Sequence, residues 1–152
     1  MNELTVGAKA PAFSAPDQSG KSIALSDFAG RKVVLYFYPK DDTPGCTVEA
    51  CSFRDDHAAF KKKGAVVIGV SPDSAKSHTK FIEKFTLPFT LLSDTDHKIA
   101  GDYGVWVEKS MYGKKYMGVE RSTFVIDEKG KLSAVYRKVN PAEHTTDVLE
   151  GL

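Results

Sequence analysis

Only two cysteines, Cys46 and Cys51, and one tryptophan occur among the 152 residues. Two thiols are too few for the disulfide frameworks that staple small secreted domains, and a chain of this length buries enough apolar surface to need no staple. Neither sign of charge prevails: 21 basic residues against 20 acidic ones leave a formal net charge of +1. That balance removes the electrostatic reason to expect nucleic acid or an anionic membrane as partner. Long apolar runs are missing as well. The longest, residues 33–38 (VVLYFY), is far short of the roughly 20 residues that span a bilayer. The opening MNELTV has no basic start and no apolar segment, so no secretory signal is expected and the cytoplasm is the expected compartment. In a reducing compartment, paired cysteines point to catalysis, redox sensing or metal binding.

What is present is an ordinary globular composition, 41% apolar and 27% charged, without repeats or linkers, so residues 1–152 read as one domain. Turn residues at 16–20 followed by 22–25 predict an N-terminal hairpin, and 26–30 a single helical turn closed by Gly30. Residues 33–38 and 65–70 (AVVIGV) lack alternation, as strands covered on both faces do. Helices are expected over 46–63, from 71–73 through Phe85, over 97–103 and over 142–149, with a short strand at 88–92. A hairpin is expected from 122–126 and 132–136 around the turn DEKG. Strands alternating with helices imply an α/β fold, a mostly parallel central sheet flanked by helices, to which the hairpins add antiparallel strands. Ligands in such folds bind where strand carboxyl ends meet helix N-termini, which here is the stretch 38–46.

Cys46 follows Thr43-Pro44-Gly45 at the start of the first long helix, with Thr43 as its expected N-cap. A thiolate there meets unpaired N–H groups and the positive end of the helix dipole, which lowers the thiol pKa and makes a nucleophile. The competing reading is a small buried hydrophobe. Cys51, five residues on, stands about 8.7 Å away along an ideal helix, beyond the roughly 7 Å a disulfide tolerates. If Cys51 resolves an oxidised Cys46, the helix must unwind. Otherwise Cys51 is a packed residue sharing a face with Ala58. A zinc site is disfavoured, because C-x4-C is wide and His57, His78, His97 and His144 show no paired spacing.

The run Pro39-Lys40-Asp41-Asp42-Thr43-Pro44-Gly45-Cys46, continued by TVEACSFRD, resembles the active-site motif of peroxiredoxins of the bacterioferritin comigratory protein (peroxiredoxin Q) subfamily. So do LLSD at 91–94, GVW at 104–106 and ERSTFVID at 120–127, and the similarity extends from Val6 to the C-terminus. The resemblance implies a thioredoxin-like fold and reduction of hydrogen peroxide and organic hydroperoxides, with no cofactor and with electrons from thioredoxin or a similar dithiol. It implies Cys46 as peroxidatic cysteine and Thr43, Pro39 and Arg121 as the peroxide-orienting, shielding and activating residues. Cys51 matches the subfamily variant whose resolving cysteine lies in the same helix. A monomer is the expected state. The chemistry agrees: a guanidinium stabilises charge on the departing oxygen, and a threonine hydroxyl both donates and accepts. Glu49 can tether Arg121 or be a solvated carboxylate, Arg54 stands two helical turns from Cys46, and Trp106 and Phe37 read as packing.

Two other readings compete. A thiol–disulfide oxidoreductase would carry C-x-x-C, and residue 49 is glutamate. A non-catalytic redox-sensing or chaperone protein on the same fold would tolerate loss of either cysteine.

Overall fold

The computed structural model describes residues 4–152; Met1 to Glu3, which belong to the N-terminal stretch read above for a signal, lie outside the described residues. The expected N-terminal hairpin is β1 (Ser14–Pro16) paired antiparallel with β2 (Ser22–Ala24), followed by a 3-10 turn over Leu25–Phe28. β3 (Lys32–Phe37) comes next, then α1 (Pro44–Asp55), α2 (His57–Lys62), β4 (Ala65–Ser71) and α3 (Ala75–Phe85). β5 (Thr90–Ser93) and α4 (Lys98–Asp102) lead to a second hairpin of β6 (Trp106–Met111) and β7 (Lys114–Val119). β8 (Ser122–Ile126), β9 (Leu132–Arg137) and α5 (His144–Glu150) complete the chain.

The main sheet has the order β5-β4-β3-β8-β9, parallel over the first three strands and antiparallel beyond β3. β3 is its centre and is buried on both faces. Val33, Leu35 and Phe37 point into a core shared with Phe124, Ile126 and Tyr103. Val34, Tyr36 and Tyr38 point to the other side, where Cys46, Ala50 and Phe53 of α1, Phe81 of α3 and Val148 of α5 meet them. Each large side chain buried this way contributes about 1.5–3 kcal/mol. Tyr36 stacks on Phe53 at 4.6 Å between centroids, and Gly69 of β4 makes room for it: a Cβ there would lie 2.9 Å from the tyrosine ring. The sheet therefore holds α1 by apolar packing at Cys46, Ala50 and Phe53.

Three expectations are corrected. The helix expected over 46–63 divides at Asp56, whose ψ of 4° ends α1. Hydrogen bonds from Asp56 N–H to Ser52 and from Phe60 N–H to Asp56 still carry the chain across, so Phe53 and Phe60 bury together with centroids 5.6 Å apart. α3 begins at Ala75, not at 71–73. Ser71 belongs to β4 and donates to Asp73, while the Ser74 hydroxyl caps the helix by accepting from Ser77 N–H at 3.2 Å. The β6–β7 hairpin has no counterpart among the expected elements. Its strands are mostly exposed, so burial writes no apolar pattern into them, and its turn is Tyr112-Gly113 with φ of 52° and 80°.

Candidate active site

β3 delivers the chain to Tyr38, and the turn 39–43 reverses it into α1. Thr43 is extended (φ −97°, ψ 157°) and Pro44 occupies the first helical turn, so the helix starts where the Thr-Pro-Gly run predicts. The expected side-chain cap is absent. The Thr43 hydroxyl instead donates to the Lys40 carbonyl at 2.9 Å, stiffening the turn, and the Thr43 carbonyl accepts from Thr47 N–H at 2.8 Å. Pro39 is half-buried beside Tyr38.

Cys46 is 1% exposed and lies within the apolar core on the α1 side of the sheet. Its burial is what the small-hydrophobe reading expects, yet the sulfur has a polar partner. Arg121, immediately before β8, donates from Nη2 to Cys46 Sγ at 3.2 Å. Its Nη1 donates to Glu49 Oε1 at 2.7 Å, with the Glu49 side chain fully buried. Residues 75 positions apart meet because β3 and β8 are adjacent and antiparallel, which places the start of β8 beside the end of β3. Gly45 permits the approach: a Cβ on it would stand 3.2 Å from Arg121 Nη2.

Burial dominates the electrostatics of Glu49. It pushes the carboxyl up from 4.5 to about 7, against the charge of Arg121 and the hydrogen bond Arg121 donates. Only one oxygen is paired; Oε2 is buried with no partner among the described residues. For Arg121, burial opposes its charge, but Glu49 and Cys46 outweigh that and hold the guanidinium up. A sulfur receiving a charge-assisted N–H at a helix start is equipped to act as an anion.

Cys51 lies in the same unbroken helix, half-buried and outside the apolar clusters, and both cysteines are free. Ala58, its expected companion, is exposed on α2. Arg54 serves elsewhere, donating to the Phe85 carbonyl at 2.8 Å at the end of α3. Trp106 is half-buried and stacks on His97 at 3.8 Å, and Phe37 is core, so both are packing residues. Of the sequence-predicted site residues, the fold joins Cys46, Arg121 and Glu49 directly, whereas Thr43 and Pro39 line the turn without a bond to the sulfur.

Two features escaped sequence reading. Lys109 on β6 is half-buried; burial lowers its ammonium pKa, Arg121 lowers it further and Cys46 raises it, so the hairpin faces the site. Asp41 binds His78 at 2.8 Å beneath the turn. No spacing signal could have joined residues 37 positions apart on a loop and a helix.

A family model described as AhpC/TSA matches residues 6–135. The putative peroxiredoxin bcp of Coxiella burnetii is 53% identical over 98% of this chain and 99% of its own length, and peroxiredoxin Bcp of Bacillus subtilis 51% over 98% and 95%. A solved cysteine-to-serine variant of peroxiredoxin Q from Xanthomonas campestris superposes with a TM-score of 0.90 at 40% identity, covering 95% of each chain. A similar variant of the Xylella fastidiosa protein gives 0.92 at 34%, over 99% and 96%. The fold is therefore the thioredoxin-like one of peroxiredoxins. Agreement this broad takes in the turn, α1 and the strand that presents Arg121, and the chain belongs to the AhpC/TSA family, in its peroxiredoxin Q (Bcp) branch.

Proposed function

We infer that this peroxiredoxin reduces hydrogen peroxide and organic hydroperoxides at Cys46. The observation that carries the reading is the Arg121 Nη2 to Cys46 Sγ bond of 3.2 Å at the start of α1. The thiolate attacks one peroxide oxygen, the O–O bond breaks, and the sulfur becomes a sulfenic acid while the departing oxygen takes a proton and leaves as water or alcohol. Arg121 steadies the charge that develops on that oxygen, Thr43 orients the peroxide, and Pro39 shields the sulfur. Glu49 aims the guanidinium. The Cys51 thiol then condenses with the sulfenic acid, releasing water and forming the 46–51 disulfide, after which a thioredoxin-type dithiol takes up the oxidising equivalents. Because both cysteines lie in α1, the helix opens to let them meet and closes on reduction.

The single-domain chain works as a monomer in the cytoplasm, needs no cofactor or metal, and binds neither nucleic acid nor membrane. Even charge gives nucleic acid and anionic membranes no electrostatic hold, and no helix among the described residues is long and apolar enough to cross a membrane. A non-catalytic redox-sensing or chaperone role has no observation in its favour. Cys46→Ser is expected to abolish dithiol-dependent peroxide consumption, and Cys51→Ser to permit one turnover that leaves a sulfenic acid detectable by mass spectrometry. Wild-type consumption by the Cys46→Ser protein would overturn the reading.

A further inference from the structure

Beneath the turn that presents Thr43 lies a side chain the peroxide chemistry does not use. His78 of α3 has no exposed surface. Its Nε2 stands 2.9 Å from the Leu92 carbonyl oxygen in β5, and its Nδ1 stands 2.8 Å from Oδ2 of Asp41. A carbonyl only accepts, so Nε2 carries hydrogen, and a ring nitrogen facing a carboxylate oxygen at that distance needs a proton between them. The ring therefore bridges β5 to the turn.

Asp41 is the hub of that turn. It accepts from the Tyr38 hydroxyl at 2.6 Å and the Ser77 hydroxyl at 2.8 Å, while its own N–H donates to Asp73 at 2.8 Å. One turn residue is thereby tied to Tyr38 at the end of β3, to the segment after β4, to α3 and, through His78, to β5. The next residue, Asp42, turns the chain at φ +56°, a left-handed conformation that aspartate tolerates better than most residues. Asp41, Asp73 and His78 bring possible ligand atoms within 4.8 Å of one another. Their atoms are nevertheless engaged with Tyr38, Ser71, Ser77, Leu92 and one another, so the cluster is a hydrogen-bonded knot.

We propose that His78 is a positioning residue for the peroxidase: through its bond to Asp41 it fixes the turn 39–43, and hence where Thr43 stands when peroxide meets Cys46. The inference rests on the peroxidase reading above. The turn has no regular structure of its own, and misplacing a reacting geometry by about 1 Å costs on the order of a hundredfold in rate. The knot supplies the rigidity that the turn's backbone lacks.

Two isosteres separate the two bonds of the ring. Asparagine at 78 places its amide nitrogen near Nδ1 and keeps the donor to Asp41; glutamine reaches toward Leu92 and leaves Asp41 without it. In a Cys51→Ser background, sulfenic acid formation with hydrogen peroxide is timed by quenched-flow mass spectrometry, below the melting transition of each protein. His78→Gln is expected to slow it about tenfold or more, His78→Asn to stay within about threefold of the parent. Asp41→Ala, expected to be as slow as His78→Gln, gives the same reading from the turn if His78→Gln does not fold. Parent-like rates in His78→Gln or Asp41→Ala would overturn the inference, as would equal slowing in His78→Asn and His78→Gln. A parent protein inert to peroxide would instead strike down the peroxidase reading, a result distinct from an active parent indifferent to residue 78.

Discussion

At Gly45, the difference between a hydrogen and a methyl decides where a guanidinium can stand. A Cβ there would lie 3.2 Å from Arg121 Nη2, closer than a carbon usually stands, with Cζ at an ordinary 3.8 Å. Glu49 anchors the other guanidinium nitrogen at 2.7 Å, so the group can yield only by swinging away from the sulfur. Gly45→Ala is therefore expected to slow Cys46 oxidation by about tenfold, part of the hundredfold or more that losing such a donor costs. Alanine is also the better helix former, by up to about 1 kcal/mol, so the melting temperature should hold or rise. Rate and stability moving in opposite directions mark a displaced catalytic group; a joint fall, or an unchanged rate, would refute the assignment. At this scale the sequence was most legible. Cys46, Thr43, Pro39 and Arg121 stand in motifs, while Glu49 reads either as a tether of Arg121 or as a solvated carboxylate. Burial of Cys46 is not legible there, because helix-start position says nothing about which side of the sheet the helix covers.

Among the elements, α1 has two obligations that conflict. It presents Cys46 with its first turn, and it fills the core with Ala50 and Phe53, the latter stacked on Tyr36 and packed against Phe60. Forming a 46–51 disulfide requires its amino-terminal turns to open, while the Phe53 end stays anchored by those rings. Oxidation is expected to reduce the far-UV circular dichroism helix signal and to expose the amides of residues 46–51 to hydrogen exchange, with those of β3 still protected. An unchanged spectrum alongside a proven 46–51 disulfide would exclude the opening. Elements with a buried face were readable in advance: β3, β4, β8 and β9 each wrote an apolar or turn-bounded run. The β6–β7 hairpin is not, since only its base, at Trp106 and Val119, reaches the core and Tyr112-Gly113 is not among the common hairpin turn pairs. The division at Asp56 and the start of α3 at Ala75, capped by Ser74, turn on single backbone angles and one hydroxyl, finer than periodicity can register.

For the molecule as a whole, two buried titrations run against each other. Glu49 sits in the core with its carboxyl raised from 4.5 to about 7 by burial, in spite of Arg121. Between those pH values the native protein holds a proton that the unfolded chain has released, so stability falls as pH rises. His144, on α5, is 3% exposed, with Nε2 bonded at 2.6 Å to the Thr123 hydroxyl and the ring edge-on to Phe53. Burial lowers it from 6.5 to about 4, outweighing the opposite pull of Asp147, while Arg121 adds to the lowering. Here the unfolded chain holds the extra proton, and stability rises with pH over nearly the same window. Each slope amounts to about 3 kcal/mol across its range, so in the parent they largely cancel. Separating them is a matter of one substitution each. Glu49→Gln leaves the histidine alone, and its melting temperature should drop relative to the parent as pH falls from 6.5 to 4. His144→Gln leaves the carboxyl alone, and its melting temperature should drop relative to the parent as pH rises from 4.5 to 7. At about 2–4 °C per kcal/mol for a chain of this size, scanning calorimetry resolves both divergences. Profiles that stay parallel to the parent would mean that neither group changes its protonation between the folded and unfolded chain. Opposite tilts would locate the molecule's acid and alkaline sensitivities at the two groups flanking Phe53 and Arg121, the same pair of contacts that α1 must loosen or keep in each catalytic cycle.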